Sequence, residues 1–364
     1  MIRFKLFAKK FVAVIFGIFL ALVIIEIILR IWHPFVYTVR GDKIILAANI
    51  QVRMKNQWIR KLDDTIYYSR NSIGLRGDAW PVNPENYIKI ITVGGSTTEC
   101  KFLSDSRTWP ERLKHDLKPD HPNIWLNNAG LDGHSSFGHL VLLKDYLVRL
   151  HPNYILFLTG INDVELDRPA DLDDQDIRGI HGHSVKYFLK SLVNYTETGT
   201  LLLSLYRNYL AYRKGLIHKE RDPGQLQVGV TDSLTRMNKI AFQKHYLTNY
   251  AGRLKELAAV SVLNYIKPVF ITQPALFGNA VDSTTGIFMG NRMLDGYDCA
   301  MDWDLLQLYN DEVRNLRADG VAVIDLAAAM PKDSKYFYDF MHYTNAGAEK
   351  VAAILADSLR MIIK

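Results

Sequence analysis

The sequence predicts an α/β domain, in which a parallel sheet of five strands has helices on both faces, preceded by an apolar N-terminal helix. Three observations predict this fold. Short β-branched runs alternate along the chain with segments of helical period, and each run ends in a polar or glycine-rich loop. Strands that alternate with helices form a parallel sheet covered on both faces. The third observation is an N-terminal apolar run long enough to cross a membrane.

Composition and charge exclude several classes of protein. The chain has 364 residues, 48% hydrophobic and 23% charged, with two cysteines, which excludes disordered, collagen-like, coiled-coil and disulfide-stapled proteins. The net charge is +6, but four basic residues lie within the first ten positions, which leaves 40 basic against 38 acidic residues. A surface that follows nucleic-acid phosphates needs a larger excess, so nucleic acid is not an expected partner.

The first predicted element is a transmembrane signal-anchor helix over residues 11–29. These 19 residues contain one charged side chain, Glu26, and a helix of that length is about 28 Å long. The basic residues 1–10 should stay in the cytoplasm, which places the large domain outside it, in the periplasm if the chain is bacterial. The alternative is a cleaved signal peptide, but no small-x-small cleavage site follows the apolar run.

The remaining elements follow an irregular lead-in over residues 33–86, and the main domain takes up residues 87–364. The predicted strands are residues 87–93, 123–127, 153–159, 267–273 and 321–326. The predicted helices are residues 106–117, 137–149, 236–264, 302–317 and 344–361.

The spacing predicts an insertion, mainly helical, at about 165–235, between the third and fourth strands. It opens acidic and turns basic and tyrosine-rich. It could form a solvated helical hairpin, a lid over the site, or a face that rests on anionic headgroups. Its acidic run at 171–176 lacks the glycine and closing glutamate of a calcium loop and is interpreted as a solvated loop.

A serine follows the first strand of the main domain, in GGSTT at 94–98. The carboxyl ends of the strands are where such sheets place their chemistry. Ser96 there would have an exposed hydroxyl and an N–H at a helix start, which suits a nucleophile and an oxyanion donor. A phosphate loop is not indicated, because no Gly-Lys-Ser/Thr follows.

Three further motifs end the second strand, end the third strand and precede the last helix. They are NNAGLDGHSS (127–136), TGIND (159–163) and DFMHYTNAG (339–347). Asn162 could donate an amide hydrogen to an oxyanion. Asp339 could accept the Nδ1–H of His342 and leave Nε2 free for a serine. Taken singly, Asn162 could be a turn former, Asp339 a helix cap and His342 one of eleven histidines.

The motifs GGST, NAG, GIND and DxxH together resemble the four blocks of the SGNH (GDSL-type) hydrolase superfamily, over about 88–361. The resemblance implies a flavodoxin-like three-layer α/β/α sandwich with strand order 2-1-3-4-5. It also implies the following roles: nucleophile Ser96; triad partners Asp339 and His342; oxyanion hole Ser96, Gly130 and Asn162. Gly95 stands where the common form has Asp, which is not a triad member. No cofactor and no metal are expected.

The lead-in is similar to that of membrane-anchored members linked to bacterial cell-surface polysaccharides. It carries NxxGxRG, formed by Asn71, Gly74, Arg76 and Gly77. The expected function is a membrane-anchored extracytoplasmic serine esterase that removes acetyl or another short acyl group from a glycan or an acylated small molecule. The alternatives are a polysaccharide O-acyltransferase with the same triad, a phospholipase, and a non-catalytic glycan-binding assembly factor.

Two histidines and two cysteines are not assigned to catalysis or metal binding. His134 and His139 are expected at the surface or the rim of a pocket, because no cluster with ligand spacing accompanies them. Cys100 is expected to begin the buried first helix of the domain. An oxidising compartment permits a bridge to Cys299, and two buried thiols are equally compatible with the sequence.

Overall fold

The structure is a computed structural model that describes residues 2–32, 39–40, 43–44, 46–167, 195–213 and 218–363. It contains two compact units. The smaller unit comprises residues 1–47 and 176–217, and the larger comprises 48–175 and 218–364.

A five-stranded parallel sheet forms the centre of the larger unit. Its strands are β3 (Ile88–Gly94), β4 (Ile124–Asn128), β5 (Tyr154–Leu158), β6 (Lys267–Ile271) and β7 (Ala322–Ile324). Their order across the sheet is β4-β3-β5-β6-β7, which is the 2-1-3-4-5 order that the sequence implied. Ile91 pairs with Asn127 on one side and with Ile155 on the other, so β3 is an interior strand. All five residues of β5 are buried, because both faces of the sheet are covered.

Helices cover both faces of the sheet, which confirms the predicted three-layer architecture. They are α2 (Ser96–Glu99), α3 (Trp109–Leu117), α4 (Ser136–Asp145), α6 (Ser233–Leu263), α7 (Cys299–Asn315), α8 (Leu326–Ala329) and α9 (Asn345–Ile362). Helix α3 packs against α9, and α6 packs against both α4 and α7. Side-chain caps set where helices begin: Asp298 accepts from the N–H of Met301, and Thr344 from that of Gly347.

The lead-in was expected to be irregular. It contains an antiparallel hairpin instead. Strands β1 (Ile50–Lys55) and β2 (Thr65–Arg70) pair with Gln51 opposite Ser69. Strand β1 was not predicted, although Ile50, Val52 and Met54 alternate with polar residues along it. Two-residue strands pair elsewhere, Val39–Arg40 with Lys43–Ile44 and Met293–Leu294 with Tyr297–Asp298.

The smaller unit contains helices α1 (Ile2–Trp32) and α5 (Glu197–Arg213), which pack against each other. Within the described residues, the stretch Lys9–Trp32 of α1 is long and apolar enough to cross a membrane, with a mean hydropathy of 3.1. Glu26, the acidic residue of that stretch, accepts hydrogen bonds from the backbone N–H groups of Glu197 at 3.0 Å and Thr198 at 2.9 Å. The carboxylate therefore caps the start of α5.

Much of the predicted insertion lies outside the described residues. The acidic run at 171–176 and the segment that could complete a helical hairpin are among these residues. The described part consists of residues 165–167, helix α5 with the two residues before it, and residues 218–235.

Candidate active site

Ser96 lies at the carboxyl edge of the sheet, where β3 gives way to α2. Gly94 ends the strand and Ser96 is the first residue of the helix, so its backbone N–H has no partner within that helix. The serine is 7% exposed, at the end of a sharp turn through Gly95. This is the position that the sequence predicted for it.

His342 and Asp339 lie beside this serine, on the loop before α9. The Nε2 atom of His342 is 2.8 Å from Oγ of Ser96, and its Nδ1 atom is 2.7 Å from Oδ2 of Asp339. The other carboxylate oxygen of Asp339 accepts the backbone N–H groups of Met341 and His342, both at 2.8 Å. Asp339 is not the cap of α9, because Thr344 fills that position. The three residues thus form a continuous hydrogen-bonded chain.

The electrostatics of this chain favour a protonated imidazole beside an ionised carboxylate. Burial opposes the charged form of His342, but the charge and hydrogen bond of Asp339 outweigh it and raise the pKa of His342 above 6.5. Burial likewise works against ionisation of Asp339, yet His342 and two backbone N–H groups lower its pKa below 3.8. The ring of Tyr338 stacks on that of His342, with centroids 5.5 Å apart.

Asn162 is held close to Ser96 by a second short loop. Its Nδ2 atom donates to the carbonyl oxygen of His134 at 2.9 Å, which uses one of the two amide hydrogens. A Cβ atom on Gly95 would lie 2.4 Å from that Nδ2 atom. A larger residue at position 95 would therefore require the Asn162 amide to move.

The predicted contribution of Gly130 to an oxyanion hole is not supported by the structure. Its backbone N–H donates to Oδ1 of Asn128 at 2.7 Å, so that hydrogen already has an acceptor. Asn128 ends β4 and also donates to the carbonyl oxygen of Thr98, which ties the second motif to α2. The donors left for an oxyanion are the Ser96 N–H and the second amide hydrogen of Asn162.

The NxxGxRG lead-in binds the backbone that follows Ser96. Arg76, 3% exposed, donates to the carbonyl oxygens of Cys100 and Leu103, both at 3.0 Å. Arg70, 5% exposed, contacts the buried carboxylate of Glu99 at 3.0 Å and the carbonyl oxygen of Gly130 at 3.2 Å. The lead-in thus supports the turn that presents Ser96, a connection that the sequence motif did not reveal.

His134 and His139 are buried, 3% and 2% exposed, and not at the surface or a pocket rim as expected. The physical reason is that the start of α4 packs under the loops of the site, and the His134 carbonyl holds Asn162 there. Burial lowers the pKa of His134 to about 4 and that of His139 to about 3, which keeps both rings neutral.

The two cysteines are buried and not bridged. Cys100 follows α2 in a left-handed conformation, with φ of 52°, and does not begin a helix as expected. The reason is that α2 is a single turn that ends at Glu99.

Two residues beside the triad candidates were not singled out from the sequence. His218, at the end of the insertion, has its ring centroid 4.3 Å from that of His342. Its Nε2 atom is 3.2 Å from Oδ2 of Asp132, a residue of the second motif. No local pattern marks this contact, because 86 positions separate the two residues.

Residues 91–350 match the GDSL-like Lipase/Acylhydrolase family. The chain belongs to this family. It is accordingly an ester hydrolase of the GDSL (SGNH) type, as the sequence motifs implied. A search of the curated proteins finds no match to the sequence.

Several solved structures of lipases and esterases are similar to this chain. A GDSL-like lipase from Bacteroides thetaiotaomicron is 14% identical, with a TM-score of 0.39, and the match covers 79% of this chain and 93% of that one. A lipase/acylhydrolase from Enterococcus faecalis is 14% identical, with a TM-score of 0.41 and coverages of 76% and 97%. An acetylxylan esterase from Geobacillus stearothermophilus is 14% identical, with a TM-score of 0.41 and coverages of 74% and 93%.

Proposed function

We propose that this GDSL-type hydrolase is a serine esterase in which Ser96 is the nucleophile, His342 the general base and Asp339 the residue that orients the base. The observation that supports this proposal is the chain of hydrogen bonds from Ser96 Oγ to His342 Nε2, at 2.8 Å, and from His342 Nδ1 to Asp339 Oδ2, at 2.7 Å. A hydroxyl in such a chain can lose its proton as it attacks a carbonyl carbon.

The mechanism follows from these positions. His342 Nε2 takes the proton of Ser96 as Oγ attacks the ester carbonyl, and the Asp339 carboxylate stabilises the resulting imidazolium. The oxyanion accepts hydrogen bonds from the Ser96 N–H and from Asn162; loss of one such donor typically costs about 2.7–4 kcal/mol of transition-state stabilisation. The imidazolium then protonates the leaving alcohol. His342 finally deprotonates a water, which hydrolyses the acyl-enzyme and releases the acid.

The proposed substrate is a glycan that carries acetyl or another short acyl group. An open cleft of about 550 Å³ lies beside the loop that carries His342: its wall includes Thr344, two residues after His342, and no residue of the proposed triad. Apart from Pro223 and Ala346, the side chains that line the cleft are polar or charged: Lys61, Glu220, Arg221, Asp222, Thr284, Thr285, Ser334, Lys335, Thr344 and Asn345. A lining of this kind suits the hydroxyl groups of a sugar better than an acyl chain, because each hydroxyl removed from water needs a new hydrogen-bond partner.

The proposed location is the outer side of a membrane, with α1 as an uncleaved anchor and the catalytic domain outside the cytoplasm. The support is the apolar stretch Lys9–Trp32 and the basic residues before it. Reporter fusions after residue 364 would test the topology: a phosphatase active only outside the cytoplasm should be active, and a fluorescent protein that folds only inside should be dark. The reverse pattern would contradict the proposal.

The nucleophile is tested by Ser96→Ala. This variant should lose hydrolysis of a chromogenic acetyl ester and labelling by a fluorophosphonate, while its circular dichroism stays that of the unaltered protein. Ser358→Ala, in α9 and bonded only to a carbonyl oxygen of its own helix, is the matched control and should retain both. Full esterase activity in Ser96→Ala would contradict the assignment.

The substrate class is tested by product analysis. Incubation with an acetylated polysaccharide should release acetate in a Ser96-dependent manner, and dispersed phospholipid should release no fatty acid. A labelled acyl group that appears on an added glycan instead of in free acid would identify the protein as an acyltransferase. Release of fatty acid alone would make it a phospholipase.

A further inference from the structure

A second carboxylate–histidine pair lies against the proposed catalytic histidine. His218 Nε2 is 3.2 Å from Oδ2 of Asp132, and His218 Nδ1 is 2.6 Å from the hydroxyl of Tyr338. The His218 ring is 4.3 Å from that of His342, centroid to centroid, with the planes inclined by 49°. The side chain of His218 is 11% exposed and that of Asp132 is 40% exposed, so the carboxylate reaches the open side of the site.

The contacts settle which nitrogen of His218 carries a hydrogen. Burial works against ionisation of Asp132, but the hydrogen bond and charge of His218 lower its pKa to about 2, so the carboxylate can only accept. Nε2 of His218 must therefore donate. Burial raises the pKa of Tyr338 well above 10, so its hydroxyl stays protonated, 2.6 Å from Nδ1. The His218 ring is thus hydrogen-bonded at both nitrogens.

The segment that carries His218 is fixed to the loop of the site. The backbone N–H of Arg221 donates to the carbonyl oxygen of Tyr338 at 3.0 Å, and the carboxylate of Glu220 accepts the N–H of Arg60 at 2.6 Å. His342 therefore has a fixed ring on two sides, since Tyr338 stacks on it with planes inclined by 10°. The imidazole has little freedom to turn away from Ser96.

We propose that Asp132 and His218 form a positioning pair that holds the His342 ring against Ser96 and supplies a second negative charge to its protonated form. This inference rests on the proposed role of His342 as the general base. In the reaction, the pair stabilises the imidazolium that forms when Ser96 loses its proton.

Few charged groups lie around Asp132, His218 and His342. Asp339 and Asp132 both favour the charged form of His342, and Lys101 favours the ionised form of Asp132. Glu99 is bonded to the backbone N–H of Asp132 at 2.7 Å. The neutral groups in contact are Tyr338, Ser96 and the ring of Phe102, which is 4.9 Å from that of His218. Removal of the Asp132 charge therefore removes one of two carboxylates that act on His342.

The test is the pH profile of kcat/KM for the full chain with a chromogenic acetyl ester. Asp132→Asn should move the acid limb to lower pH, because His342 then loses its proton more easily. His218→Phe keeps a ring beside His342 and keeps the carboxylate, so its limb should not move to lower pH, while kcat falls about 10- to 100-fold through loss of orientation. His218→Gln, which can bond both Asp132 and Tyr338, should recover part of that loss.

The matched controls are His115→Phe and Asp116→Asn, an exposed pair whose Nδ1 and Oδ1 atoms are 3.5 Å apart. Neither should change the profile. An acid limb of Asp132→Asn that coincides with that of the unaltered enzyme would overturn the proposal. If Asp132→Asn does not fold, equal kcat in His218→Phe and the unaltered enzyme would overturn it. Activity retained by Ser96→Ala would instead refute the proposed function, so the two failures are distinguishable.

Discussion

The Nε2 atom of His342 lies 2.8 Å from Oγ of Ser96, although 246 positions separate the two residues in the chain. Ser96 follows the interior strand β3, and His342 lies on the loop that leads into α9. Helix α9 packs against α3. The contact between Ser96 and His342 therefore depends on the packing of the whole domain.

Asp339→Asn should leave the protein folded and lower turnover about 10⁴-fold, as for a triad aspartate in serine proteases. An Asn side chain can still accept the N–H groups of Met341 and His342, but its amide hydrogens would face Nδ1 and favour the wrong tautomer. The measurement is kcat with an acetyl ester, beside circular dichroism. Asp357→Asn, an exposed carboxylate of α9 paired with Arg360, is the control and should be fully active. Near-normal turnover of Asp339→Asn would mean that another acid orients the base.

The activity should rise with pH as His342 loses its proton. Since Asp339 and Asp132 raise the pKa of His342, the midpoint of the rise in kcat/KM should lie above 6.5, with a plateau on the alkaline side. The measurement is the pH profile with an ester that has no ionisable group of its own in this range. A midpoint below 6.5 would show that burial outweighs both carboxylates.

Gly95→Ala should lower kcat about 10²- to 10³-fold, the range for loss of one oxyanion donor. The new Cβ atom would lie 2.4 Å from Nδ2 of Asn162 and 3.0 Å from the carbonyl oxygen of His134, so the amide must move away from the oxyanion. Gly252→Ala is the control, because a Cβ there meets no atom within 4 Å. Full activity in Gly95→Ala would remove Asn162 from the mechanism.

Arg70→Met should lower the free energy of unfolding by about 3–5 kcal/mol, the cost of removing one partner of a buried ion pair. It would leave the Glu99 carboxylate, 8% exposed, without its cation at 3.0 Å. Arg107→Ala breaks an exposed pair with Glu349 at 3.5 Å and should cost about 0–1 kcal/mol. Urea unfolding of the two variants compares these costs, and equal values would contradict the structural role of the lead-in.

The sheet could be predicted from the sequence to within a few residues at each end. Strands buried on both faces are continuous apolar runs, and such runs can be recognised from the local sequence alone. The hairpin of β1 and β2 was missed because β1 is not a continuous apolar run: its apolar residues alternate with polar ones and are exposed or half-buried. Period-two alternation was the available signal for this strand.

Some residues of the candidate site could be predicted from local motifs, and others could not. Ser96, Asn162, Asp339 and His342 stand in short motifs, and the structure brings them together. Asp132 and His218 could not be predicted, because their contact joins the second motif to the end of an insertion. The hydrogen bond from the Gly130 N–H to Asn128 depends on the conformation of one tight turn. The motif NAG does not specify that conformation.

The carboxylate of Glu26 on α1 also caps the start of α5. If α1 spans the membrane, many apolar sequences could serve as its anchor, but few would offer an acceptor for the backbone N–H groups of Glu197 and Thr198. A chimaera with a foreign transmembrane segment would still be inserted, yet α5 would begin without its cap. Glu26→Leu should therefore make α5 more open to protease in intact vesicles without releasing the enzyme. An anchor formed by α1 would then be a folded part of the smaller unit and not an exchangeable tether.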